Sequence, residues 1–570
     1  MKKLIIYLGL FLSTGIIFIS CEKDLNLAPQ DKYSEATFFK TPDQFKLFAT
    51  QFYSQLSTFN GMLTRETYSD IVIAWSPSTI SNGSYSPTPN SDLWNNSYSI
   101  IRNTTYLVEK VKTAEQSIKE KVLVYGGEAK LFRAMAYFDL LRDFGGVPII
   151  EKVLDLDDND FLYGSRDSRE NVVTFILNDI NDAIDLLPLE SNISANDKGR
   201  VSKEAALAFK ARVALFEGTW RKFRNQDGNT FLDHAINASD QVISGGQYQL
   251  FDRRDILGDQ SYRYSFLLDI IQTNSANLTK ANQTEYILSN RYNRDIRPTT
   301  GISPGHLSPS ATQKFVDLFL CTDGLPVDKS PLFQGRLTTT SEYENRDLRI
   351  KNVLQLPFSR FWAQTPSEYR RNWSYPDAGG NIFDVNFGNT TRTGFYPVKF
   401  RPEIAPPSGI DYPVIRYAEV LLINAEALYE KNGAITDAQL DATVNKLRDR
   451  AGIPKLTNAF ATLHGLDLRT EIRRERTVEL FLEGFRFDDL RRWKTAEVEM
   501  PKAIKGVLWS GTEYATDPRW SAISFPLDMD GHIIVEPASQ RRFEEKHYLM
   551  PLPTRQILLN PKLEQNPNWD

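Results

Sequence analysis

The sequence predicts a mainly α-helical protein. Degenerate tetratricopeptide-like helix pairs form a scaffold, a large irregular, loop-rich insertion interrupts it, and an irregular C-terminal tail closes it. Three observations carry this. Ala-rich first helices recur with a following partner helix in units of about 35–45 residues, the mark of a helical-repeat scaffold. Helical periodicity fades between about 255 and 405, where Gly, Pro, Asn, Thr and aromatic residues take over. Beyond 500 the chain is punctuated by Pro526, Pro551, Pro553, Pro561 and Pro567.

The N-terminus reads as an export signal. Lys2 and Lys3 precede an uncharged, mostly apolar run over 4–19, followed by Ser20, Cys21 and the charged Glu22, Lys23 and Asp24. A cysteine directly after the small residue points to lipoprotein processing, with cleavage before Cys21 and acylation of its thiol. Several acyl chains on one residue anchor stably, since each buried methylene contributes about 0.8 kcal/mol. The division expected is a signal over 1–20, a lipidated tether over 21–38, a first scaffold part over 39–254, the insertion over 255–405, a second scaffold part over 406–500 and the tail over 501–570.

Within the scaffold, Thr41-Pro42-Asp43 starts a helix with Thr as cap and Pro at the first helical position, running to about Ser57. The stretch from 66 to 91 is a long loop. Helices follow near 92–111 and 120–143, the second stopped by Gly145-Gly146. Another begins at Ser168, with Val172, Ile176, Ile180 and Ala183 at helical spacing. Ser202 caps an Ala-rich helix expected to end at Gly218, paired with a helix over about 230–244. The design returns after 413, stopped by Gly433, and Thr436 with Gln439 forms a candidate capping box for a partner helix reaching Gly452. A last helix is expected over about 468–494.

Composition excludes several functions. The net charge of −5 comes without blocks of like charge, so nothing points to nucleic acid. Five scattered His form no HExxH and no spaced pair, so neither a metal site nor His-dependent catalysis is predicted. No catalytic residues and no cofactor are assigned. Cys321, in an apolar run, reads as a buried small hydrophobe. Glu471, Glu475, Glu479 and Glu483 recur every four residues, but Arg469, Arg473, Arg474, Arg476 and Arg486 lie among them. Such interleaving predicts salt bridges along the helix rather than the separated acid pair of a glycosidase.

The chain resembles the SusD/RagB family of outer-membrane nutrient-uptake lipoproteins of Bacteroidetes. The residues that carry the resemblance are LFRAMAYFDLLRDFGGVPII (131–150), GRVSKEAALAFKARVALFEGTW (199–220), PVIRYAEVLLINAEALYEKNG (413–433), IRRERTVELFLEGFRFDDLRRW (472–493) and YLMPLPTRQILLNPKLEQNPNW (548–569). It implies four tetratricopeptide-type helix pairs, surface display on the outer membrane, and partnership with a SusC-like, TonB-dependent β-barrel transporter to which ligand is delivered. It also implies a binding protein, not an enzyme. The cargo expected is a glycan oligosaccharide; part of the family serves peptide import, which stands as the alternative.

Sugars present apolar C–H faces that stack on aromatic rings, and hydroxyls that need polar partners. Three loops supply both. The loop 66–91 offers Asp70, Trp75 and Tyr85. The segment 291–298 offers Arg291 and Tyr292. The segment 359–375 offers Trp362, Tyr369, Trp373 and Tyr375. Trp94, Trp220, Trp493 and Trp569 lie in scaffold motifs and are expected to be structural.

Overall fold

The computed structural model describes residues 38–274, 276–302, 309–357, 391–402, 407–518 and 520–569. Cys21 and the four aromatics of 359–375 lie outside them.

Thr41 caps α1 (Pro42–Thr50), and its side chain exchanges hydrogen bonds with Gln44 in a capping box, as the Thr-Pro-Asp start implies. A 3₁₀ turn (Gln51–Gln55) continues it. After α2 (Phe59–Glu66) and the two-residue strand β1 (Val72–Ile73), five long helices follow: α3 (Asp92–Lys112), α4 (Lys119–Phe144), α5 (Arg169–Leu186), α6 (Lys203–Lys222) and α7 (Asn229–Ser244). Each packs on the next, so the array grows helix by helix. Phe138 of α4 meets Phe209 and Phe216 of α6 edge-on, with ring centroids 5.7 and 5.5 Å apart. Replacing such a buried ring by Ala costs about 3–5 kcal/mol.

Gly218 does not end α6; the helix runs on to Lys222. A side chain at Gly218 would press on Leu232 of α7, 3.0 Å away, and one at Gly228 would collide with the Gly218 carbonyl. The glycine is there for close approach of the two helices, not for termination.

The chain then passes through short helices and the strands β2 (Tyr286–Asn290) and β3 (Ser310–Ala311), followed by α8 (Gln313–Leu318) and β4 (Tyr412–Arg416). β1 pairs antiparallel with β3, and β2 with β4. From β4 the chain enters α9 (Tyr417–Asn432), closed by Gly433 in the left-handed region. α9 packs on α6 and α7, returning the chain to the scaffold. The Thr436–Gln439 capping box is present, but the partner helix is broken at Thr443 into α10 (Asp437–Ala442) and α11 (Val444–Arg450).

The predicted helix over 468–494 is likewise two helices, α12 (Leu468–Glu479) and α13 (Arg486–Arg492). Leu482 and Gly484 take positive φ between them, which no continuing α-helix accommodates. The tail is mostly irregular, with the antiparallel pair β5 (Ile504–Leu508) and β6 (His532–Glu536).

Two large cores result. One lies within the helical array and includes Leu131, Leu141, Ile176 and Ala211. The other lies under the insertion. It also draws on Phe59, Leu63 and Val72, on Val478 and Phe481, and on Val507 and Ile533, so distant stretches of chain build the floor on which the loops sit. Cys321 is buried, as its apolar setting implies.

Candidate ligand-binding site

Trp75 is the candidate aromatic that the fold leaves open. The chain before it is pinned: Val72 and Ile73 pair with Ala311 and Ser310, and the Thr312 N–H donates to the Ile71 carbonyl at 3.0 Å. Residues 71–74 are buried, and then the Trp75 side chain emerges, 41% exposed. Arg392 braces the turn. Its guanidinium donates to the Ala74 carbonyl at 3.3 Å and its N–H to Ser310 Oγ at 3.0 Å. The described chain resumes at Thr391, one residue before Arg392, so the segment bounded by 357 and 391 rejoins the fold beside Trp75. Among the described residues no ring stacks on the indole. A braced, open indole is the arrangement that sugar stacking needs.

The other loop candidates are placed differently. Asp70 is 2% exposed and accepts from both Arg486 Nε at 2.8 Å and Nη2 at 2.9 Å, with Lys314 Nζ at 2.5 Å. Burial alone would push its pKa up; Arg486 and Lys314 overcome this and hold the carboxyl far below the usual range. It joins the loop to α13 and has no free face for a ligand. Tyr85 turns inward. Its ring packs on Trp569 and His547, with centroids at 4.9 and 5.5 Å, and it lines a cavity of about 560 Å³. Its buried hydroxyl has no hydrogen-bond partner.

Tyr292 is half-buried against Phe59, at 5.6 Å, with the Arg297 guanidinium 4.6 Å from its ring centre, and its N–H donates to Asp411. It holds the segment down rather than offering a face. Arg291, next to it, is exposed and lines a separate cavity of about 470 Å³ that does not include Trp75. Tyr248 and Gln249 line that cavity too. Sequence reasoning missed both, since Gly245-Gly246 marked only a helix end. Trp362, Tyr369, Trp373 and Tyr375 fall outside the described residues. Trp94, Trp220, Trp493 and Trp569 are buried in the framework.

The acidic series is structural, though not in the way its spacing suggests. Only Glu471 pairs along the helix, with Arg474 at 3.2 Å. Glu475 meets Arg349 at 2.5 Å. Glu479 accepts from Arg349 at 2.9 Å, Arg416 at 2.7 Å and Arg450 at 2.6 Å. Glu483, beyond the helix, meets Arg416 and Lys399, both at 2.7 Å. All are buried. Glu479, held by three guanidinium groups, can neither donate a proton to a leaving group nor attack one, and burial keeps all four carboxyls away from solvent. No group of three or more His, Cys, Asp or Glu among the described residues is arranged to hold a metal ion.

Comparison with known proteins decides the family. The family described as "SusD family" matches residues 270–569, and one described as "Starch-binding associating with outer membrane" matches 29–215. The chain belongs to the SusD family. A SusD-like protein of Formosa agariphila is 26% identical over 535 residues, covering 89% of this chain and 94% of its own. One from Bacteroides ovatus is 24% identical, covering 97% and 96%. Among solved structures, a SusD-like protein of Bacteroides fragilis superposes with a TM-score of 0.71 at 24% identity, covering 95% of this chain and all of its own. A second from the same species, described as a SusD-like carbohydrate binding protein, also gives 0.71, at 22% identity, covering 93% of this chain and all of its own. These likenesses establish the mainly helical, tetratricopeptide-like SusD fold. Among the described residues no helix is long and apolar enough to cross a membrane.

Proposed function

We propose that this SusD-family chain captures glycan oligosaccharides at the cell surface and delivers them to a TonB-dependent, SusC-like barrel, without cleaving them. The observation that carries this reading is Trp75: an open indole on a buried, braced backbone, at the point where the segment holding Trp362, Tyr369, Trp373 and Tyr375 rejoins the fold. Acylation at Cys21 tethers the folded body to the outer membrane through the stretch before residue 38. The match to a family described as starch-binding, and the likeness to a solved relative described as carbohydrate binding, support a carbohydrate as cargo.

The test is calorimetry against neutral oligosaccharides, with chromatography of the mixtures afterwards. Trp75→Ala is expected to weaken glycan binding about 10-fold or more, taking as the scale the roughly 1–3 kcal/mol that a nucleobase gains from an aromatic platform, and the oligosaccharide should be recovered intact. Unchanged affinity in Trp75→Ala refutes the site. Heat from peptides alone moves the cargo to peptide, and cleavage products refute the capture reading.

A further inference from the structure

The cavity lined by Arg291 is separate from the Trp75 surface, and its chemistry differs. At about 470 Å³ it lies within the size of small-molecule sites, roughly 300–1,000 Å³. Its charged groups are Glu190, Lys198, Arg200, Lys280, Arg291 and Asp411. Five of the six are matched. Lys198 pairs with Glu190 at 3.0 Å, Lys280 with Asp411 at 2.6 Å, and Arg200 with the buried Glu128 at 2.6 Å. Arg291 donates only to the Lys198 carbonyl and has no carboxylate partner among the described residues.

Its position is built. Gly199 takes φ +101, and a Cβ there would lie 2.5 Å from Arg291 Cδ, so the side chain lies across a glycine that leaves it room. A cation held this way loses little further freedom on binding an anion.

A further observation points to a ligand. Tyr248 closes one wall of the cavity with its ring, its hydroxyl turned into the protein beside Ser202. Gln247 and Gln249, at the mouth, are exposed and make no side-chain hydrogen bond among the described residues, which leaves two amides for sugar hydroxyls.

We propose that this cavity is a second binding site, taking the carboxylate of an acidic sugar on Arg291 while the two glutamines engage its hydroxyls. The proposal rests on the capture reading above and extends it to uronate-bearing glycans. Asp411 feels Arg291 as well as Lys280, yet only Lys280 is in contact with it, which leaves the Arg291 guanidinium open to a ligand carboxylate.

The test is calorimetry of the full chain in detergent with galacturonate and glucuronate, their neutral parent sugars and a sulfated sugar, at low and high salt. Uronate is expected to bind and the neutral parents to bind at least about 10-fold more weakly, with affinity falling as salt rises. Arg291→Gln should weaken uronate binding about 10–100-fold. Gln249→Ala should weaken it a few-fold, with unchanged thermal unfolding showing that both variants fold. Trp75→Ala should leave monomeric uronate binding intact, so that loss of the stacking surface and loss of this site are read separately. Absence of heat from both uronates, equal binding of the neutral parents, preference for the sulfated sugar, or full affinity in Arg291→Gln each overturns the proposal.

Discussion

Glu479 sits at the centre of the buried ionic lattice, and replacing it tests what the lattice contributes. Glu479→Gln keeps the volume and removes one charge that Arg349, Arg416 and Arg450 share. None is left entirely alone: Arg349 keeps Asp347 at 2.6 Å, and Arg416 and Arg450 keep Glu285, each at 2.7 Å. Removing one partner of a fully buried pair costs about 3–5 kcal/mol, and the retained carboxylates place the expected loss near the lower end, about 3 kcal/mol. Urea unfolding should show it as a lowered midpoint at unchanged slope. The exposed Lys455–Asp441 pair is the control, and Lys455→Gln should not move the midpoint.

The pH dependence fixes the sign. Burial alone would raise the Glu479 pKa, but Arg450, Arg416 and Arg349 hold it well below the usual carboxylate range. A depressed folded pKa gives stability that is fully present above the unfolded value of about 4.3 and lost as pH falls through the folded one. The gap between wild type and variant should therefore be full at pH 7 and close on strong acidification. A loss below about 1 kcal/mol at pH 7, or a gap that widens in acid, refutes the reasoning.

Glu66 behaves in the opposite sense. Burial, against the Gly484 N–H and Lys399, pushes its carboxyl up to about 8. Stability tied to its protonated form is full below about 4.3 and fades as pH rises to about 8. Glu66→Gln should thus gain on wild type across that window, by on the order of a few kcal/mol at pH 8, in thermal melts at stepped pH. Gly228→Ala should destabilise by at least about 1–3 kcal/mol in chemical denaturation of the folded chain, because its Cβ collides with the Gly218 carbonyl. Thr436→Ala removes the box that starts α10 and should cost about 1 kcal/mol by the same measurement.

Local rules read much of this fold. Thr41, Ser168, Ser202 and Thr436 cap helices where their spacing places them, because a cap depends on three or four neighbouring residues. Where the deciding partner is distant, local reading stops. Gly218 looks like a stop until Leu232 and Gly228 are seen against it. The period of Glu471 to Glu483 suggests one helix pairing with itself, whereas Arg349 and Arg416 reach Glu479 from 130 and 63 residues away. Asp70 looks like a loop carboxylate free for a sugar, and Arg486, 416 residues on, takes it. Trp75 was legible as a loop aromatic, but its openness follows from the β1–β3 pairing and Arg392, neither of which its neighbours in sequence announce.

The distant ion pairs also account for where binding can occur. Arg65 bridges Asp143 of α4 and Asp488 of α13 at 3.1 and 2.6 Å, and Arg416 ties β4 to Glu285, Glu479 and Glu483. Apolar cores alone tolerate small slides between helices, since dispersion and burial are nearly non-directional. A guanidinium held by two or three carboxylates at fixed angles is not, because each displacement leaves a buried charge uncompensated. The scaffold and the floor of the insertion are therefore locked in one register, and the loops above inherit fixed ends. Trp75 between Ile73 and Arg392, and Arg291 across Gly199, are both side chains held from such ends. Rigid placement lowers the ordering cost of binding a flexible ligand. On the proposed capture reading, the acidic and basic side chains that resemble catalytic equipment in the sequence serve indirectly, by fixing the positions from which other residues would meet the ligand.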